Sequence, residues 1–149
     1  MPSARPRFPL LGAFVVLGAW LAVGLAPEAA GAAARRFGVT EEGAVADGKT
    51  LNTVAIQMAI GRAESSGRGR VEIPAGTFLS GSILLKRGAE LWLAEGAVLL
   101  GSTNIADYPK RETRIEGHFE PGRMALVNAQ GLTRVRIGGK GSINGNGVP

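Results

Sequence analysis

The chain contains no cysteine, which excludes disulfides and every thiolate metal site. Stability therefore has to come from packing and backbone hydrogen bonding. Histidine is almost as scarce, with His118 standing alone. A single imidazole with scattered carboxylates falls short of a zinc or calcium ligand set, so neither a metal nor a cofactor is expected. Aspartate occurs only at Asp47 and Asp107. The few aromatic residues do not interleave with basic ones as a nucleic-acid stacking platform requires. Nucleic acid is accordingly not an expected partner.

Also lacking is an apolar run long enough to span a bilayer. Leu10–Leu25 has 16 residues, against the roughly 20 that a spanning helix needs. It follows Arg5 and Arg7 and precedes small residues ending in Ala32-Ala33-Ala34. Basic, then apolar, then small is the order of a secretory signal peptide. Residues 1–34 are read as that signal, cleaved near Ala32 or Ala34, with a secreted or periplasmic product. The alternative is an uncleaved N-terminal anchor. Removal of 1–34 leaves 15 Lys+Arg against 11 Asp+Glu, a balance of +4. That charge suits contact with an acidic polymer through long-range attraction, and equally describes a solvated basic surface. The remaining 115 residues can bury a modest core.

What is present after Arg36 changes period along the chain. Ala55, Ile56, Ala59, Ile60 and Ala63 recur at helical spacing and form one apolar stripe. Asn52 before them is a suitable N-cap, its side-chain oxygen accepting from amides of the first turn. Gly67 is a suitable stop. A helix is predicted over about 53–65, with Gln57, Arg62 and Glu64 facing water. Beyond it come "RVEIP", "GSILLK", "AELWLA", "AVLLG", "ALVNA", "TRVRI" and "GSING", short runs bounded by Gly, Pro, Asn or charge, which predict an all-β fold. Val71/Ile73, Leu91/Leu93 and Val135/Ile137 alternate. An antiparallel sandwich and a parallel solenoid both permit this. The interval from Val71 to Leu91 is a plausible coil length and leans toward the solenoid.

The later intervals are disturbed by "TNIADYPKRETRIEGHFEPGR", residues 103–123. This segment is charged, holds Pro109 and Pro121 and has no clean period, so it is read as an inserted surface loop. At the other end, Ser142-Ile143-Asn144 reads as a strand and Gly145-Asn146-Gly147 as a corner. A chain that stops within such a repeat reads as truncated.

"DGKTLNTVAIQMAI", residues 47–60, resembles the opening of the pectate-lyase-like superfamily of right-handed parallel β-helices, where a short helix caps the first coil. "VEIPAGTFLSGSILLKRGAELWLAEGAVLLGSTNIADYP", residues 71–109, looks like the N-terminal coils of polygalacturonase-type glycoside hydrolases, family twenty-eight. "ALVNAQGLTRVRIGGKGSINGNG" is similar to the coil leading to that family's catalytic region. The resemblance covers about residues 37–147. It implies the N-terminal part of a right-handed parallel β-helix domain, residues 35–149, from a secreted enzyme that hydrolyses galacturonan with inversion. Two alternatives share the fold: a non-catalytic polysaccharide-binding or tailspike-like module, and a pectate lyase or epimerase.

Inverting hydrolysis needs a carboxylic acid to protonate the leaving oxygen and a carboxylate to activate water, roughly 6.5–9.5 Å apart. The resembled family supplies aspartates in N-T-D and D-D motifs, beside G-H-G and R-I-K. None of these motifs occurs here, so no catalytic residue is assigned and the chain alone is predicted inactive. Asp47 and Asp107 read as turn residues, and Glu72, Glu90 and Glu95 as outward strand charges. The remaining candidates are for substrate binding. Arg111 and Arg114, within the cluster Lys110, Arg111, Arg114 and Arg123, suit uronate carboxylates. Tyr108 offers a face to a sugar ring, as Trp92 does if it points outward. His118 lies in the same insertion, where a solvated loop histidine is the plainer reading.

Overall fold

The computed structural model describes residues 34–147 except 116 and 117, and the side chains of 113–115 also lie outside the description. The signal-peptide reading therefore falls, apart from Ala34, outside the described residues. The strands are β1 (Arg35–Gly38), β2 (Asp47–Leu51), β3 (Gly69–Ile73), β4 (Gly76–Ser80), β5 (Ile83–Leu84) and β6 (Ala89–Leu93). They continue with β7 (Ala97–Gly101), β8 (Lys110–Ile115), β9 (His118–Arg123), β10 (Val127–Asn128), β11 (Arg136–Gly139) and β12 (Ser142–Asn144). Helix α1 (Thr53–Ser65) lies between β2 and β3. Among the described residues no helix is long and apolar enough to cross a membrane.

Alternation along each short strand is turned into columns by parallel stacking. Three sheets run β1-β3-β6-β11, β12-β7-β4-β2 and β10-β5, with every pairing within them parallel. Inward residues meet their counterparts one coil on: Val71 beside Leu91 beside Ile137, and Phe78 beside Leu99 beside Ile143. Val71, Phe78, Leu91 and Leu99 are wholly buried, each such side chain contributing about 1.5–3 kcal/mol by leaving water. An antiparallel sandwich is excluded, because its hairpin connections would reverse every second strand. The fold is a parallel β-helix, right-handed as connections between parallel strands are.

The coil length explains the weak period of the sequence. Val71 pairs with Leu91 and Phe78 with Leu99, so the repeat measured on the second sheet is one position longer than on the first. The step from Leu91 to Ile137 is more than twice as long, since 103–123 is inserted between them. Corners stack as the strands do. Gly88 adopts φ +77°, and a Cβ there would lie 2.5 Å from the carbonyl oxygen of Gly67, so only glycine lets these two corners approach.

The helix covers one end of the stack with Ile56, Ile60 and Ala63 turned into the core. Two expectations about it are corrected. Asn52 does not cap the helix with its side chain. Its Oδ1 accepts from the Val45 amide at 2.7 Å, and its Nδ2 donates to the carbonyls of Val45, Thr50 and Leu79. Buried at 2 % exposure, it joins the loop before β2 to β4 because a buried amide must find partners. Gln57 does not face water either. Its Oε1 accepts from the Leu84 amide and its Nε2 donates to the Leu84 carbonyl, both at 2.9 Å. The helix occupies the place where a strand would pair with β5, and this side chain supplies that strand's two bonds. Arg62 and Glu64 are exposed and ion-paired, to Glu42 and Lys86 respectively.

The segment 103–123, read as an inserted surface loop, holds a short 3₁₀ turn at Ile105–Asp107 and an antiparallel hairpin, β8 with β9, registered from Lys110↔Arg123 to Ile115↔His118. The strands carry charge at Lys110, Arg111, Glu112, Glu120 and Arg123, and the exposed ones among the described side chains follow no period that a core would impose.

Candidate functional site

The shortest sheet, β5 with β10, lies at the base of the hairpin. Asn128 ties it together: its Nδ2 donates to Ser82 Oγ, Ile83 O and Ala125 O, while its Oδ1 accepts from the Ala125 amide. The hairpin is anchored beside it by Arg123, whose Nη1 donates to the carbonyls of Ile105 and Tyr108 at 2.9 and 3.1 Å, and by the Met124 amide donating to Pro109 O. Between hairpin and sheet runs a groove of about 330 Å³. Arg111 and Glu112 stand on the hairpin side, Leu84 and Asn128 on the sheet side, with Gln130 following β10.

The hairpin register relates the candidate residues to one another. Facing pairs share a side, so the positions Arg111↔Gly122 and Ile115↔His118 belong to one face, two cross-strand steps apart, roughly 13 Å along the strand. Arg111 and His118 are therefore on a common face, and His118 is exposed. Arg114 occupies a position on the opposite face with Phe119; its side chain lies outside the described residues. Phe119 is 71 % exposed, an aromatic surface missing from the sequence-derived candidates because a lone Phe carries no motif.

Tyr108 is placed apart from that groove. It lines a neighbouring recess of about 370 Å³ with Ser102, Ile105 and Leu126, and its hydroxyl donates to the Ser102 carbonyl at 2.9 Å. Burial, and secondarily the charge of Asp107, push its phenol above the usual value. Arg123, part of the predicted basic cluster, is occupied by backbone carbonyls.

No protein-family model matches the chain. Individual proteins do. The exo-poly-alpha-D-galacturonosidase of Dickeya chrysanthemi is 42% identical over 118 residues, which cover 73% of this chain and 19% of that protein. The family 28 exopolygalacturonase of Yersinia enterocolitica superposes with a TM-score of 0.67 at 41% identity, over 76% of this chain and 21% of its own. The hyperthermoactive exopolygalacturonase of Thermotoga maritima gives 0.69 at 31% identity, over 75% and 25%. The chain belongs to the family 28 polygalacturonases. It spans about a fifth to a quarter of the length of these relatives.

Placing the carboxylates shows what this part of a polygalacturonase fold holds. Asp47 accepts from the amides of Lys49 and Thr50 and from Thr50 Oγ1, and these bonds, the hydroxyl's first, hold it at about 2. Asp107 accepts from Ser102 Oγ. Glu72, Glu90 and Glu95 are ion-paired with Arg36, Arg70 and Lys140. Arg70 also lies 4.2 Å from the ring centroid of Trp92, a cation–π contact that occupies this half-buried outer side chain. Glu112 alone among the described carboxylates lines the hairpin groove. One carboxylate cannot serve as both the acid and the base of inverting hydrolysis. The residues lining the groove include Arg111, Glu112 and Gln130, with the Asn128 amide already bonded within the fold.

Proposed function

We propose that this chain forms the first coils, and one wall of a substrate groove, of a secreted pectin-degrading glycoside hydrolase acting on galacturonan by inverting hydrolysis. Its own contribution is to hold the acidic polymer through Arg111. Family membership supports the reaction class, and the position of Arg111 on the groove beside β5 and β10 is the observation that carries the binding role. A guanidinium pairs with a carboxylate through two parallel hydrogen bonds, and galacturonan presents one carboxylate on each sugar. The basic, apolar, small-residue order of positions 1–34 supports export to where such a polymer is met.

A second reading, a binding module without hydrolysis, is favoured by Glu112 standing as the single described carboxylate of the groove. One experiment addresses both. The full chain is presented with polygalacturonate and with neutral galactan, while retention and reducing ends are measured. Selective retention of the acidic polymer without new reducing ends is expected. Equal retention of the neutral polymer overturns the carboxylate-binding role. Release of reducing ends overturns the binding-only reading and shows the chain alone to be active, and ultraviolet-absorbing unsaturated products would instead indicate a lyase.

A further inference from the structure

A second groove, of about 380 Å³, opens on the sheet that contains β3 and β6 and shares no lining residue with the one beside the hairpin. Its charged walls are Arg68, Arg134, Arg136 and Glu90; its floor is Ala34 and the bare backbone of glycines. Glu90 is already engaged, with Arg70 Nε 3.0 Å from its Oε2. Among the described residues, Arg68, Arg134 and Arg136 have no carboxylate within ion-pair distance. Three arginines thus line one concavity without an ion pair among the described residues, and the one carboxylate there, Glu90, is the register partner of Arg136 and is shared with Arg70.

The backbone adds an independent sign. Arg134 has φ +62°, a left-handed conformation that side chains other than glycine adopt at a cost. The turn before β11 needs no arginine for its geometry, since glycine would adopt it freely. The side chain at this strained position is a cation directed to the same groove as Arg136.

We propose that this groove is a second binding site for the carboxylates of an acidic polysaccharide, separate from the substrate groove beside the hairpin. The proposal rests on the galacturonan reading and extends it. Guanidinium forks match carboxylates in geometry as well as charge. A polymer repeats its carboxylate along its length, so it can occupy two sites on one molecule at once and is held more strongly than by either alone.

The test titrates the full chain with a defined galacturonate oligomer and measures retention on polygalacturonate for three variants, with inorganic phosphate as a separate arm. The wild type is expected to bind two oligomers. Arg134→Gln with Arg136→Gln removes one site and weakens retention about tenfold, whereas Arg111→Gln removes the other. Arg134→Gly, which relaxes the backbone, is expected to melt no lower than the wild type and still lose affinity at this groove, an outcome that a purely structural role for Arg134 does not produce. Unchanged stoichiometry in the double variant overturns the proposal while leaving the hairpin groove intact. Loss in the double variant alone, with Arg111→Gln binding normally, supports this site and overturns the role of Arg111. Phosphate binding as tightly as the oligomer overturns it in favour of a general anion site.

Discussion

Gln57 and Leu84 exchange two hydrogen bonds, both at 2.9 Å, between a side-chain amide and a strand backbone. A glutamine carries the same donor and acceptor as a peptide unit, so one side chain of α1 completes the edge of β5 where no strand precedes it. The other edge of β5 is taken by β10, the floor of the hairpin groove. The cap helix is thereby coupled to the sheet that bears the candidate site.

Replacement of Gln57 by Leu should leave the Leu84 amide and carbonyl without partners. An unmade bond at a buried group costs about 1–3 kcal/mol. For the two groups together a loss of about 2–4 kcal/mol is expected, read as a lower urea midpoint with an unchanged slope. Gln57→Glu keeps the acceptor and loses the donor, and its midpoint should fall between the two.

Gly88→Ala tests the stacking of corners. The added methyl would meet the Gly67 carbonyl oxygen at 2.5 Å and would sit on a residue with φ +77°. A destabilisation of about 2–4 kcal/mol is expected, measured by thermal or urea unfolding. Ala at Gly43, where φ is +90° but no atom lies within 4 Å, should cost only the conformational part, about 1 kcal/mol.

Asp47 makes a pH-dependent contribution whose sign follows from its bonds. Its carboxyl is held at about 2, below the ordinary 3.8, so the unfolded chain takes up the proton first as acid is added. The stability it contributes is complete above the unfolded value and is lost as pH falls through about 2. In Asp47→Asn the decline of the unfolding midpoint across that interval should be shallower than in the wild type. Parallel declines would show that Asp47 is not responsible.

Arg111→Gln should weaken retention on polygalacturonate about tenfold. The melting temperature should stay within about 2 °C, since Arg111 is exposed on the hairpin. Added salt should reduce the difference between variant and wild type, because an exposed charge pair is screened.

Much of the fold is legible in the residues. Val71/Ile73 and Leu91/Leu93 alternate, and the interval from the first pair to the second is the coil that β3 and β6 form. The apolar stripe from Ala55 to Ala63 reports its helix directly. The candidate site is less legible. Arg111 could be singled out for its chemistry, but nothing local distinguishes it from Arg123, which is occupied by the carbonyls of Ile105 and Tyr108. Asn128 and Gln130 reach the groove through the folding of 103–123 into a hairpin beside β10, and a polar amide in a short strand gives no signal of its own.

Which side of each short strand is apolar, where the helix lies and the absence of any thiol can all be read from the residues alone. These follow from local periodicity and composition. The parallel stacking, the turning of Asn52 and Gln57 from helix capping and solvent to other strands, and the pairing of β8 with β9 emerge from long-range contacts. The physical reason is common to all three. Backbone amides and carbonyls must be paired wherever water is excluded, and which group supplies the partner depends on what the coils bring near, as they bring Leu84 to Gln57 from far along the chain.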